Sequence, residues 1–278
     1  MSLNLKFGVM QGRLSPMVKD RIQIFPKKNW KIEFQRAKNL GLKYIEWTLD
    51  YDTFSQNPIL SKSGINEIKR LSKKYLIKIR SLTGDCFMQK PFWKISKNQK
   101  LINDFKKILN SCNKIGIKYV IIPLVDNGRL EDIKAEKKLI KILSNFKKYL
   151  KKKKIEILFE SDLNPKKLKK FIQNFDKDLF GINYDLGNSA SLGYNVDDEF
   201  RNYFEYIKNI HIKDRIYKGS TVRLGKGSAN FHKFFRNLKK YKYNNMLIYQ
   251  TARSNKNDDI GEIKKNILFI KKKIKENV

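Results

Sequence analysis

Four polar residues define the chemistry this chain offers: Glu160, Asp185, His211 and Gln250. Each stands at the end of a different short apolar run. Together they supply two carboxylates, one imidazole and one amide oxygen. That mixed oxygen and nitrogen set suits a divalent ion such as Mn2+, Mg2+, Co2+ or Zn2+ rather than a metal that prefers thiolates. Glu160 is the first candidate for a general base. Asp162, Asp85 and Glu46 are candidates for the second acid/base. Gln11, Arg13, Asn188, Lys213, Asp214, Arg215 and Arg253 lie in the same class of strand-end segments and are candidates for binding substrate. Arginine is scarce in a chain this rich in lysine, and its planar fork suits phosphate or carboxylate. Arg13, Arg215 and Arg253 therefore point to an anionic substrate, phosphorylated or acidic. The competing reading is that they pair with Asp50, Asp85, Asp162 or Asp214.

These residues can meet only if the runs before them are neighbouring strands. The apolar runs are Leu5–Val9, Tyr44–Trp47, Ile77–Leu82, Tyr119–Leu124, Ile155–Phe159, Phe180–Tyr184, Ile207–Ile212 and Met246–Tyr249. They are near-continuous rather than alternating, as expected of strands covered on both faces. Helix-period stretches separate them. Phe105, Ile108, Leu109, Cys112 and Ile115 recur at steps of three and four and stop at Gly116, a helix C-terminal cap. Gly41 plays the same part before Tyr44. The stretch Ile133–Leu150 reads as one long helix, with the Lys147–Lys154 charge run as its solvated end. Eight strands alternating with roughly eight helices imply a parallel sheet with right-handed crossovers, and the length fits a (β/α)8 TIM barrel of class α/β. An open doubly wound sheet is the runner-up, but no G-x-G-x-x-G follows the first strand. No linker rich in Pro, Gly or Ser divides the chain, so residues 1–278 read as a single domain. In a barrel the loops after the strands form the functional face.

The motifs in order carry a family resemblance. Phe7-Gly-Val-Met-Gln-Gly-Arg-Leu-Ser-Pro16, Gly41-Leu-Lys-Tyr-Ile-Glu-Trp47, Asn183-Tyr-Asp-Leu-Gly-Asn-Ser-Ala-Ser-Leu-Gly-Tyr194, His211-Ile-Lys-Asp-Arg215 and Gln250-Thr-Ala-Arg253 resemble the xylose isomerase-like TIM-barrel superfamily, the sugar phosphate isomerases and epimerases. The resemblance covers nearly the whole chain. It implies metal-ligand roles for Glu160, Asp185 and His211, and metal-assisted isomerisation or epimerisation of a sugar by proton transfer through an enediolate. One departure matters. Ketose 3-epimerases of this superfamily carry on the last strand a Glu that shares proton transfer with the strand-five Glu. This chain has Gln250, whose amide offers a weak oxygen ligand but takes no proton. A keto-sugar or inositol dehydratase and a non-catalytic sugar-binding barrel are the alternatives.

Composition narrows the partners. The chain carries 61 Lys+Arg against 27 Asp+Glu, a formal net charge of +34. Such a balance ordinarily points to nucleic acid or an anionic membrane. Here the excess is mostly lysine, spread over the whole length, as a bias toward A/T-rich codons would produce. A related DNA-repair endonuclease activity would need a His-rich multi-zinc site, and the chain has only His211 and His232. We expect a small-molecule sugar or sugar phosphate, no specific nucleic acid and no membrane; a homo-oligomer is compatible with every reading. Cys86 and Cys112 cannot form a disulfide framework, and Met1–Pro16 lacks a long apolar segment. A reducing cytoplasm is the expected compartment. The loop from Arg223 to Asn230 is read as a tight turn before a helix starting at Phe231.

Overall fold

A computed structural model of the chain describes residues 4–18, 21–254 and 257–277, so the first three residues of the N-terminal segment lie outside the described residues. Eight parallel strands close into a barrel: β1 (Lys6–Met10), β2 (Tyr44–Thr48), β3 (Lys78–Thr83), β4 (Tyr119–Leu124), β5 (Glu156–Ser161), β6 (Phe180–Asp185), β7 (Ile207–Ile212) and β8 (Met246–Tyr249). Each strand pairs with its sequence neighbours, and β8 returns to β1 with Met246 opposite Lys6. This is the (β/α)8 TIM barrel the alternation implies. The apolar runs locate every strand. They stop short on β1, where Met10 continues the ladder, and on β2, β3, β5 and β6, where Thr48, Thr83, Glu160, Ser161 and Asp185 do. A hydrophobic pattern does not extend across polar residues at the strand ends.

Two apolar layers hold the fold. The larger lies between the sheet and the outer helices and includes Phe34, Ile68, Phe105, Leu109, Phe159, Phe171 and Phe234. The smaller fills the lower barrel with Met10, Tyr119, Ile121, Leu158, Met246 and Ile248. Strand side chains alternate between faces. Leu158 inside therefore places Glu160 inside one step higher, and the same logic stacks Gln250 above Ile248. The upper barrel is polar: Glu46, Thr83, Asn183, Asn209 and His211 are all buried there.

The helices follow from their apolar periods. The helix Gln99–Ile115 buries Phe105, Ile108, Leu109 and Cys112 and ends at Gly116, whose φ of 94° is open to glycine. The stretch expected as one helix from Ile133 to Leu150 is instead two, Ile133–Ser144 and Lys147–Lys153. A tight turn through Asn145 breaks it, with Phe146 N–H donating to Leu143 O at 2.9 Å. Phe146 packs on Phe105, ring centroids 4.9 Å apart, on the same side as Leu139, Leu143 and Leu150 of the two helices. Lys151, Lys152 and Lys153 form the basic last turn. Among the described residues, no helix is long and apolar enough to cross a membrane. Cys86 and Cys112 are both free and buried.

Candidate metal centre and cleft

The upper barrel is built around one imidazole. His211 sits on β7 with no solvent exposure. Its Nε2 lies 2.6 Å from Glu46 Oε1, reaching across the barrel from β7 to β2. Glu46 is held in turn by Thr83 Oγ1 at 2.7 Å and Asn209 Nδ2 at 2.9 Å. A carboxylate on one ring nitrogen fixes the ring and leaves the other for a ligand. That other nitrogen, Nδ1, faces Glu160 Oε2 at 3.1 Å and Asp185 Oδ2 at 3.9 Å. Register explains the meeting, since Asp185 pairs directly with His211 across β6 and β7. Asn183 fills the gap, with Nδ2 at 2.9 Å from Glu160 Oε2 and 3.0 Å from His211 Nδ1.

The donor atoms of Glu160, Asp185 and His211 all lie within 4.8 Å of one another. Two carboxylate oxygens and an imidazole nitrogen at that spacing fit a divalent ion of the Mn2+, Mg2+, Co2+ or Zn2+ type. Gln250 reaches the same group: its Oε1 and Asp185 Oδ2 both accept from Lys213 Nζ, at 3.4 and 3.3 Å. Asp185 does two jobs, because its Oδ1 accepts from Asn188 N at 2.7 Å and caps the helix Leu186–Leu192.

The charges are tightly coupled. Burial alone would depress His211, but Glu46 and Glu160 more than offset this and raise its pKa to about 10. Burial would raise Glu46 and Glu160, yet the facing His211 holds both below the usual carboxylate range. Asp185 is raised by burial, against the pull of Lys213.

Above this group opens a cleft of about 400 Å3, walled by Gln23, Asp85, Met88, Asp126, Glu160, Leu192 and others. That volume accommodates a small polar ligand. Asn188 links its parts, donating from Nδ2 to Glu160 Oε1 at 2.8 Å while its Oδ1 accepts from Arg215 Nη1 at 2.9 Å. Asp85 faces the cleft, and Gln23 Nε2 donates to its Oδ2 at 2.6 Å. Burial, with the nearby Asp50 charge, pushes Asp85 up to about 8. Asp162 lines the cleft but is paired with Arg129.

Several residues expected at the cleft are placed elsewhere. Glu46 is buried beneath His211 and orients it, so it does not meet a substrate as an acid or base. Arg13 is buried, its guanidinium donating to Thr251 O at 2.9 Å and Ile22 O at 2.6 Å. Arg253 donates to the carbonyls of Gly12 and Ser15 and faces Asp259 at 3.5 Å. Both arginines lock the loop after β1 to the loop after β8, satisfying carbonyls rather than an anion. Asp214 collects three backbone N–H groups, from Gly225, Gly227 and Ala229, and so shapes the Arg223–Asn230 turn. Gln11 is buried, and its Oε1 accepts from Thr48 N at 3.2 Å. None of the expected arginine–aspartate pairs forms. Asp50 caps the backbone of Phe25 at 2.8 Å instead.

Sequence reasoning missed Gln23, Arg129, Asn183 and Glu33. Gln23 lies in the long loop after β1, beyond the Pro16 at which the strand-end motif stops. Asn183 is two residues before Asp185, so strand alternation alone places it on the same inner face. Glu33 carried no signal; its carboxylate gathers Gly12 N, Leu14 N and Ser15 Oγ and fastens the β1 loop from below.

Residues 34–273 match the family model described as xylose isomerase-like TIM barrel. No curated protein sequence matches this chain. Among solved structures, a xylose isomerase domain protein from Planctomyces limnophilus superposes with a TM-score of 0.75 at 11% identity, covering 98% of each chain. A D-allulose 3-epimerase from Methylomonas sp., solved with D-allulose, gives 0.77 at 14% identity over 98% of this chain and 99% of that one. The IOLI protein, solved with a bound zinc atom, gives 0.75 at 15% identity over 98% and 99%.

Proposed function

The chain belongs to the xylose isomerase-like TIM-barrel family, and from that premise we propose that it is a divalent-metal-dependent sugar isomerase or epimerase. One observation carries the reading: the ligand atoms of Glu160, Asp185 and His211 lie within 4.8 Å of one another, and Glu160 also lines the cleft. Glu160, Asp185 and His211 would hold the ion through oxygen, oxygen and Nδ1, with Gln250 as a fourth, weaker oxygen donor. The ion would polarise the carbonyl and hydroxyl oxygens of a bound sugar as a Lewis acid.

The remaining work falls to side chains of this chain. Glu160 is the base that removes a proton from the carbon next to the carbonyl, giving an enediolate. Asn188 orients the Glu160 carboxylate by donating to Oε1. The second acid/base is Asp85 rather than Asp162. Asp85 is held protonated near neutral pH by its burial, whereas Asp162 is committed to Arg129. Gln250 cannot share in proton transfer. The substrate is a sugar bearing an acidic or phosphate group, which Arg215 and Arg129 at the cleft wall would meet. Product analysis by NMR in deuterated water, over phosphorylated, acidic and neutral ketoses, tests this. Deuterium incorporated next to the carbonyl with a rearranged sugar supports it. Loss of water from the sugar would favour a dehydratase instead, and binding without turnover would leave a sugar-binding barrel.

A further inference from the structure

Asp185 and Gln250 are oxygen donors of the proposed metal centre, and one cation of the chain already rests on both. Lys213 Nζ lies 3.3 Å from Asp185 Oδ2, 3.4 Å from Gln250 Oε1 and 3.2 Å from Asn188 Oδ1. An ammonium has three N–H donors and accepts nothing, so three oxygens saturate it. The Lys213 side chain is only 14% exposed and that of Asp185 only 1%, so water screens this pair poorly. The stem is also held. A Cβ at Gly187 would fall 2.6 Å from Lys213 Cγ and 2.8 Å from its Cβ, so the lysine lies directly on the Gly187 backbone.

Resting on the metal reading above, we propose that Lys213 is a built-in competitor of the metal. A divalent ion drawn to Asp185 and Gln250 meets a unit positive charge already on those two oxygens. It takes them only when the ammonium turns away, so Lys213 sets how tightly the centre holds its ion. Three carboxylates, Glu46, Glu160 and Asp185, surround one imidazole here, and Lys213 supplies their compensating charge from the cleft side.

The test is calorimetric titration of the chelator-treated protein with MnCl2, comparing wild type with Lys213→Met, which keeps the stem over Gly187 and removes the charge. Lys213→Met is expected to bind Mn2+ about tenfold tighter or more, the scale of losing one poorly screened ion pair. Its melting temperature without metal should fall, because Asp185 loses its partner, while the rise on adding Mn2+ should grow. Equal or weaker binding by a folded Lys213→Met, with wild type still binding, overturns the competition and leaves the metal reading intact. Failure of both proteins to bind overturns the metal reading, and this inference with it. Should Lys213→Met not fold, Gly187→Ala carries the same test. Its new methyl displaces the lysine stem, so tighter binding is again expected, and unchanged or weaker binding overturns the proposal.

Discussion

Replacing Glu46 by Gln probes the centre of the site without replacing a proposed metal ligand. Gln keeps the shape and can still bond Thr83, but it removes the charge facing His211 Nε2 at 2.6 Å. Glu46 is the largest influence raising His211 to about 10 against its ordinary 6.5. The sign follows from linkage: a His whose folded pKa is raised adds stability fully present below 6.5 and lost as pH climbs through about 10. A separation of that size corresponds to about 4 kcal/mol at pH 7, in line with the ~3–5 kcal/mol for breaking a buried pair. Glu160 also raises His211, so Glu46→Gln should forfeit only the larger share, about 2–4 kcal/mol at pH 7. The shifted ionisation of Glu46 itself lies below this window. Urea unfolding of chelator-treated protein, followed by circular dichroism from pH 6.5 to 10, measures the gap between wild type and variant. The gap should narrow steadily and nearly close at the upper end. A gap that stays constant or widens would refute the assignment of a charged His211 bound to Glu46. On a His211→Asn background, the same substitution should show no such pH dependence.

Other outcomes are equally specific. His211→Ala should abolish Mn2+ uptake, read by elemental analysis of dialysed protein, with far-UV dichroism unchanged; a metal-loaded, active variant would contradict the site. Phe159→Ala should cost about 3–5 kcal/mol in urea melts, because its ring packs on Phe171, Phe175 and Phe180. Arg129→Ala removes a pair whose arginine is 54% exposed, so stability should change by under about 1 kcal/mol; affinity for a phosphorylated ketose should nonetheless drop, and unchanged affinity would remove Arg129 from substrate recognition. Any duplex DNA binding through the lysines should fall steeply with salt, and a salt-insensitive, sequence-specific complex would reopen the nucleic-acid reading.

The sequence by itself determined the barrel and the identity of the chemical set. Eight apolar runs separated by helix-period stretches leave few topologies, since parallel strands need right-handed crossovers. Strand ends are then legible as the functional face, which is how Glu160, Asp185, His211 and Gln250 stand out before any coordinates. The period of two even carries the inner placement of Glu160 and Asn183. Tertiary structure alone decided which strand-end polar residues face the cleft and which brace the loops. Arg13 and Arg253 have the same local signature as Arg215, and all three satisfy backbone carbonyls, yet of the three only Arg215 also lines the cleft. Nothing within a few residues distinguishes them, because the deciding partners are contributed by distant segments. The same holds for Glu46, which reads as an acid or base candidate and proves to be the partner of His211 across the barrel. It holds for Lys213, whose ammonium settles on Asp185 and Gln250. Local pattern fixes where a side chain starts; the long-range closure of the barrel fixes which charge it meets, and buried charges must be met.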